Sequence, residues 1–225
     1  TWSVIGGKDM KVDGGLLPRI IESIFAQIAE KESAGPAPGE PPTKYQCVTS
    51  YLEIYNDKLR DLLNPEGKKE LDVRQHPKLG IYVPGLTEEA SESREQVMGF
   101  MDFGMKARSV ASTSMNDRSS RSHCVFTFGM TQIKGDVKKP LSVLKSKINL
   151  VDLAGSERQK KTNATGDRLK EGAQINQSLT NLALVIHALA KKFTAKSKKG
   201  KEEFVPFRNS KLTYLLQESL IGNSK

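Results

Sequence analysis

The sequence predicts an α/β fold. Three observations lead there: strand-like and helix-like segments interleave along the chain, no internal repeat is present, and 225 residues suit one mid-sized domain. Hydrophobic residues make up 37% and charged residues 27%, with a mean hydropathy of −0.47. That is the composition of a soluble globular chain with a core, not of a disordered one. At this length roughly 70% of the unfolded surface can be buried, so no covalent staples are needed. No apolar run approaches the ~20 residues that cross a bilayer, and no secretory leader is expected.

The elements follow in order. Residues 14–31 (GGLLPRIIESIFAQIAEK) place Leu17, Ile20, Ile21, Ile24, Phe25 and Ile28 at helical spacing, with Pro18 in the tolerant first turn. AGPAPGEPP, residues 34–42, is an exposed, semi-stiff loop. Residues 44–55 (KYQCVTSYLEIY) are rich in aromatic and β-branched side chains and predict a strand. NDKLRDLL, 56–63, predicts a short helix capped by Asn56 and ended by Asn64-Pro65. Short strands are expected around a turn at 78–80, and a helix over 94–107 capped by Ser91 or Ser93. The polar stretch 109–123 is dense in Ser and Thr. A strand is expected over 124–133, a lysine-rich hairpin connection over 134–147, and a short buried strand over 147–151 that ends at Asp152. Residues 172–193 predict the strongest helix, its apolar stripe running through Ile175, Leu179, Leu182, Ile186, Leu189 and Phe193. A lysine-rich loop (194–203), a strand-like FVPF and a last helix near 209–220 complete the chain.

Cys47 and Cys124 each lie inside an apolar strand-like run, which predicts two buried free thiols in a reducing compartment. Three scattered histidines without partners at ligand spacing argue against zinc. The formal charge is +9, and it is polarised: residues 1–155 hold 21 basic and 20 acidic side chains, residues 156–225 hold 14 and 6. A field of this kind favours an acidic macromolecular partner: nucleic acid, an anionic membrane or an acidic filament.

Two segments carry chemistry. In Asp152-Leu153-Ala154-Gly155-Ser156-Glu157-Arg158 an apolar strand ends in a carboxylate that can hold Mg²⁺ through a water. Gly155, three residues on, brings a bare backbone N–H close to a terminal phosphate. Alone, Asp-x-x-Gly is a weak pattern. In Asn116-Asp117-Arg118-Ser119-Ser120-Arg121-Ser122-His123 two adjacent hydroxyls can serve different acceptors, one a phosphate oxygen and the other a metal. Arg121 can reach a carboxylate in another loop, and Glu157 is the candidate.

Together these segments resemble the kinesin motor domain. NDRSSRSH is similar to the family's first nucleotide switch and DLAGSER to its second. The resemblance extends through GLLPRIIESIF, SYLEIYNDKLRDLLNP, LKEGAQINQSL and VPFRNSKLTYLLQESLIGNSK, essentially the whole chain. Residues 71–80 and the lysines at 196–201 look most like the vesicle-transporting branch. The resemblance implies a kinesin-type P-loop NTPase, with a mixed, mostly parallel central sheet flanked by helices on both faces. It implies one partial motor domain over 1–225, switch I at 109–123, a switch II loop at 152–171, and a relay helix at 172–193 that lies on the filament.

It implies ATP and Mg²⁺ as ligands, hydrolysis to ADP and phosphate, a microtubule (tubulin) partner, and a place on the cytoplasmic cytoskeleton. Neither nucleic acid nor direct membrane contact is expected, and cargo and dimer partner are not encoded here. Ser119 would face the γ-phosphate and order the lytic water. Ser120 would approach Mg²⁺, Asp152 would hold a metal-bound water, and Gly155 would give its N–H to the γ-phosphate. Arg121 and Glu157 would latch the switches together and, with Ser119, relay a proton.

The phosphate-cradling Gly-x-x-x-x-Gly-Lys-[Ser/Thr] is not in this sequence. Thr1 fits the register of that loop's own Mg²⁺-binding hydroxyl. First strands, phosphate loop and last helix are therefore expected to be missing, and residues 1–225 alone are expected neither to fold well nor to turn over ATP. Lys191, Lys192, Lys196, Lys198, Lys199 and Lys201 put six positive charges in eleven positions, suited to tethering acidic tubulin tails. Arg208 and Lys211 match basic filament-binding positions, with Arg74 and Lys78 weaker candidates. Gln177 and Tyr214 stand where the family often carries Lys and Arg, which bears on filament affinity more than on hydrolysis. The alternative is a non-motile, kinesin-like structural subunit. A nucleic-acid module would need aromatics interleaved with the lysines, and 191–201 holds only Phe193.

Overall fold

The computed structural model describes residues 2–7, 14–78, 80–110, 118–155, 167–194 and 204–221. A short helix α1 (Trp2–Ile5) precedes α2 (Leu16–Ala34). Strand β1 (Thr43–Tyr55) turns into β2 (Lys58–Asp61), followed by β3 (Arg74–His76), β4 (Gly80–Tyr82) and β5 (Glu89–Ala90). Helix α3 (Arg94–Val110) leads to a 3₁₀ turn at Arg118–Arg121 and the long strands β6 (His123–Gly135) and β7 (Pro140–Asp152). The long helix α4 (Asp167–Thr194), a 3₁₀ turn at Phe207–Asn209, α5 (Lys211–Leu215) and α6 (Gln217–Ile221) complete it.

The main sheet runs β2-β1-β6-β7, with β5 beside β1, and β3–β4 form a separate hairpin. Every one of these pairings is antiparallel, which corrects the mostly parallel expectation for the described residues. For β1–β2 and β6–β7 the reason is connection length. Residues 56–57 join β1 to β2 and residues 136–139 join β6 to β7, and so short a link admits only an antiparallel partner.

The same turn corrects the helix expected at 56–63. Asn56 and Asp57 both take φ 55°, the left-handed pair that a two-residue hairpin turn needs and that Asn and Asp tolerate. The expected 134–147 connection is mostly strand as well. The first eight residues of β7 are exposed on both faces, so no apolar alternation announces them; the ladder to β6 holds them. FVPF forms no strand, and the last helix is split into a 3₁₀ turn and two short helices.

Residues Tyr51 to Ile54 of β1 are buried on both faces, because helices cover both. On one face Cys47, Tyr51, Cys124, Phe126, Phe128 and Leu150 pack against Leu17 and Ile21 of α2 and Val97, Met98 and Met101 of α3. On the other, Leu52, Ile54 and Val125 pack against Leu212 and Leu216 near the C-terminal end, with Leu182 of α4 alongside. Tyr51 and Phe126 meet edge-to-face at 5.3 Å, a geometry worth about 1 kcal/mol beyond burial. Gly104 lies inside α3 where a Cβ would collide with the Tyr51 ring; close helix–sheet contact is bought at the helix-propensity cost of a mid-helix glycine, about 1 kcal/mol. Along α4 the inward face includes Val185 and Leu189, which pack on Phe207, whereas Ile186 is 51% exposed. Leu182 and Leu189 face inward as expected, and Val185 takes the buried place expected of Ile186. Cys47 and Cys124 are free and buried, as expected.

Candidate functional site

The antiparallel β6–β7 pair builds the site. Cys124 opposes Asp152, so the chain entering β6 and the chain leaving β7 lie side by side. The 3₁₀ turn Arg118–Arg121 is thereby set against Asp152–Gly155. The Gly155 N–H donates to the Ser120 carbonyl at 2.8 Å. Two segments 35 positions apart are closed on each other by one backbone hydrogen bond.

Beneath that contact lies a buried ionic network. Arg108, from the last turn of α3, is 6% exposed. Its Nε and Nη2 donate to Ser122 Oγ at 3.2 and 3.1 Å, and Nη2 also donates to the Ser122 carbonyl at 3.1 Å. Nη1 donates to Asp152 Oδ2 at 3.4 Å. Nε lies 3.9 Å from Glu53 Oε1, and Arg60 Nη1 lies 3.9 Å from Glu53 Oε2. Glu53 is fully buried in β1, where an unpaired carboxylate would be prohibitive. Arg108 therefore orients Asp152, fixes Ser122 and compensates Glu53 at once.

His123 opens β6 and is 3% exposed. Its Nδ1 accepts the Ala154 N–H at 3.0 Å, so the ring proton sits on Nε2, which faces Ser178 Oγ of α4 at 2.7 Å. Burial first, then the Arg108 charge, pushes the ring from 6.5 to about 4, with Asp152 opposing. The ring is neutral at pH 7. As pH falls from 6.5 towards 4 the unfolded chain takes a proton that the folded site refuses. Stability is expected to fall across that window by about 3 kcal/mol from this group and to be fully present above it. Denaturant midpoints of the full-length protein between pH 7 and 4 test this. His123→Asn should show an acid loss smaller by that amount, and equal slopes would refute it. Burial likewise pushes the Cys124 thiol up to about 12, leaving it unreactive.

Of the predicted site residues, Ser120, Arg121, Asp152 and Gly155 come together at this end of the sheet. Ser119 lies in the same 3₁₀ turn. Thr1 and Glu157 fall outside the described residues, as do Lys196, Lys198, Lys199 and Lys201. Lys191 and Lys192 occupy the last turn of α4 and are exposed. Arg208 and Lys211 lie beside the β3–β4 hairpin. Arg208 donates to Gln75 Oε1 at 3.4 Å and stacks on Tyr214 at 5.3 Å; Lys211 Nζ pairs with Asp72 at 3.0 Å. Tyr214 thus supplies a face for a neighbouring guanidinium where the family often has a second cation. Sequence reasoning missed Arg108 and Glu53. Glu53 had a signal, a lone charge inside an apolar strand; Arg108 had none.

The kinesin motor domain family model matches residues 1–225. The chain belongs to the kinesin motor domain family. It is 49% identical over 223 residues to kinesin-like protein KIF1B of Homo sapiens, covering 97% of this chain and 12% of that protein. It is 48% identical over 213 residues to KIF13B of Homo sapiens, covering 94% and 11%. These relatives accord with the branch read from residues 71–80. Among solved structures, KIF14 with ADP in complex with a microtubule superposes with a TM-score of 0.78 at 42% identity, covering 100% of this chain and 60% of that one. This kinesin chain spans about an eighth of the length of KIF1B. Among the described residues no helix is long and apolar enough to cross a membrane.

Proposed function

We propose that the full-length protein is a microtubule motor on the cytoskeleton that hydrolyses ATP to move. The observation that carries this is the closure of Ser120 onto Gly155 beside Asp152, two loops joined at the point where a nucleotide-sensing site needs them. The similarity to KIF14, solved with ADP on a microtubule, supports the partner and the ligand.

The donor set suits ATP and magnesium: hydroxyls, one carboxylate at a strand end and a backbone N–H are hard oxygen ligands and a phosphate donor. Ser120 and Asp152 would hold the ion, with Thr1 as a third hydroxyl; Mg²⁺ supplies neutralisation of phosphate charge. Ser119 would position the attacking water, and Arg121 with Glu157 would hold the two loops closed. Arg108 Nη1, 3.4 Å from Asp152 Oδ2, holds that carboxylate in place. The Gly155 N–H, spent here on Ser120, has to leave that carbonyl before donating elsewhere, so the two loops must shift relative to each other during turnover. Catalysis would rest on positioning and electrostatics. Over 167–194, α4 would lie on the filament, with Lys191, Lys192, the 194–203 loop, Arg208 and Lys211 as its cationic contacts.

Co-pelleting of the full-length protein with microtubules tests the reading. Retention with a non-hydrolysable ATP analogue and release with ATP are expected. Binding independent of nucleotide would instead identify a static structural subunit, and no binding would overturn both.

A further inference from the structure

His123 is tied at both ends. One ring nitrogen accepts the Ala154 N–H at 3.0 Å and the other faces Ser178 Oγ at 2.7 Å. Ala154 directly precedes Gly155, whose own N–H closes on Ser120, and follows the Asp152 strand end by two positions. Ser178 belongs to α4, 55 positions along the chain from the imidazole. The ring is rigid and holds its two nitrogens on opposite sides, so it transmits a push rather than absorbing it. With His123 buried, water cannot replace a lost partner cheaply.

We propose that His123 is a positioning residue that couples α4 to the Asp152–Gly155 turn through its two ring nitrogens. The placement of α4 on a filament then sets where the phosphate-facing backbone lies. This rests on the motor reading for its meaning, while the mechanical tie can be measured without it. Shifting α4 by much more than the tolerance of a 2.7 Å hydrogen bond must either drag the turn along or break the bond. A continuous hydrogen-bonded tie of this kind is a physical route between sites, not mere proximity.

The test uses the full-length protein with Ser178→Ala, which removes the hydroxyl, and Ser178→Thr, which keeps it. The first readout is amide exchange at Ala154 without nucleotide or filament. Ser178→Ala is expected to speed it about fivefold, the worth of one hydrogen bond, and Ser178→Thr to restore it. The second is filament-stimulated ATPase. Ser178→Ala is expected to lower kcat by a similar factor, about fivefold, with the filament KM held, and Ser178→Thr to recover it. Unchanged exchange in Ser178→Ala, or a Thr variant that behaves like Ala, would overturn the tie. A change confined to the filament KM would make Ser178 a simple contact and overturn it too. Wild-type protein without filament-stimulated turnover would sink the motor reading alone, and the exchange arm would still decide the tie.

Discussion

Arg108→Ala is expected to destabilise the full-length protein by about 3–5 kcal/mol, the range for removing one partner of a buried ion pair. The loss is not that of one contact. Glu53 is fully buried, and its carboxylate oxygens lie 3.9 Å from Arg108 Nε and 3.9 Å from Arg60 Nη1. Deleting Arg108 leaves that carboxylate with less compensation and frees Ser122 and Asp152 together. A double-mutant cycle with Glu53→Gln separates the terms: neutralising the acid should recover a large part of the loss, because the stranded charge is then gone. The denaturant midpoint at constant m-value is the measurement. A single-variant loss under 1 kcal/mol, or no coupling with Glu53→Gln, would show that the network does not bear on stability.

Asp152→Ala is expected to lower kcat of ATP hydrolysis by roughly 10²–10³-fold, the scale of losing one preorganised electrostatic group. Asp152→Asn should lose nearly as much, since it keeps the shape but not the charge. Stability should change far less than for Arg108→Ala, because Arg108 keeps its bonds to Ser122 and its approach to Glu53. The contrast between the two variants separates a residue that does chemistry from one that holds it in place. Turnover within tenfold of wild type in Asp152→Ala would remove Asp152 from the site.

Much of the site was legible because its residues are contiguous: Ser119 to Arg121 on one side and Asp152 to Gly155 on the other. Their meeting was not written locally. It follows from the β6–β7 register, and half of β7 is a lysine-bearing strand with no buried face to reveal it. The β1–β2 hairpin was misread because Leu59, Leu62 and Leu63 fit a helical period while the decisive chemistry, two left-handed residues at 56 and 57, looked like a helix cap. Long helices with strong stripes, α2 and α4, read well, and α4 was off only in which neighbour, Val185 or Ile186, turns inward. Arg108 shows the limit. Nothing around it in α3 marks it, and its role exists only once β1 and β7 are brought beneath it.

The β1–β6 ladder pairs Ile54 with His123 and Thr43 with Lys134, so the central strand is synthesised long before its principal neighbour. At ~5–20 residues per second on the ribosome, the nascent β1 waits on the order of several seconds with one hydrogen-bonding edge open, β2 and β5 covering only part of the other. For the first part of that interval, until residue 108 is made, Glu53 has no Arg108 to meet, and its charge sits inside an otherwise sticky apolar segment. A strand of this kind discourages association with other unfinished chains until its own partner emerges. The same carboxylate that burdens the finished core thus guards the unfinished one.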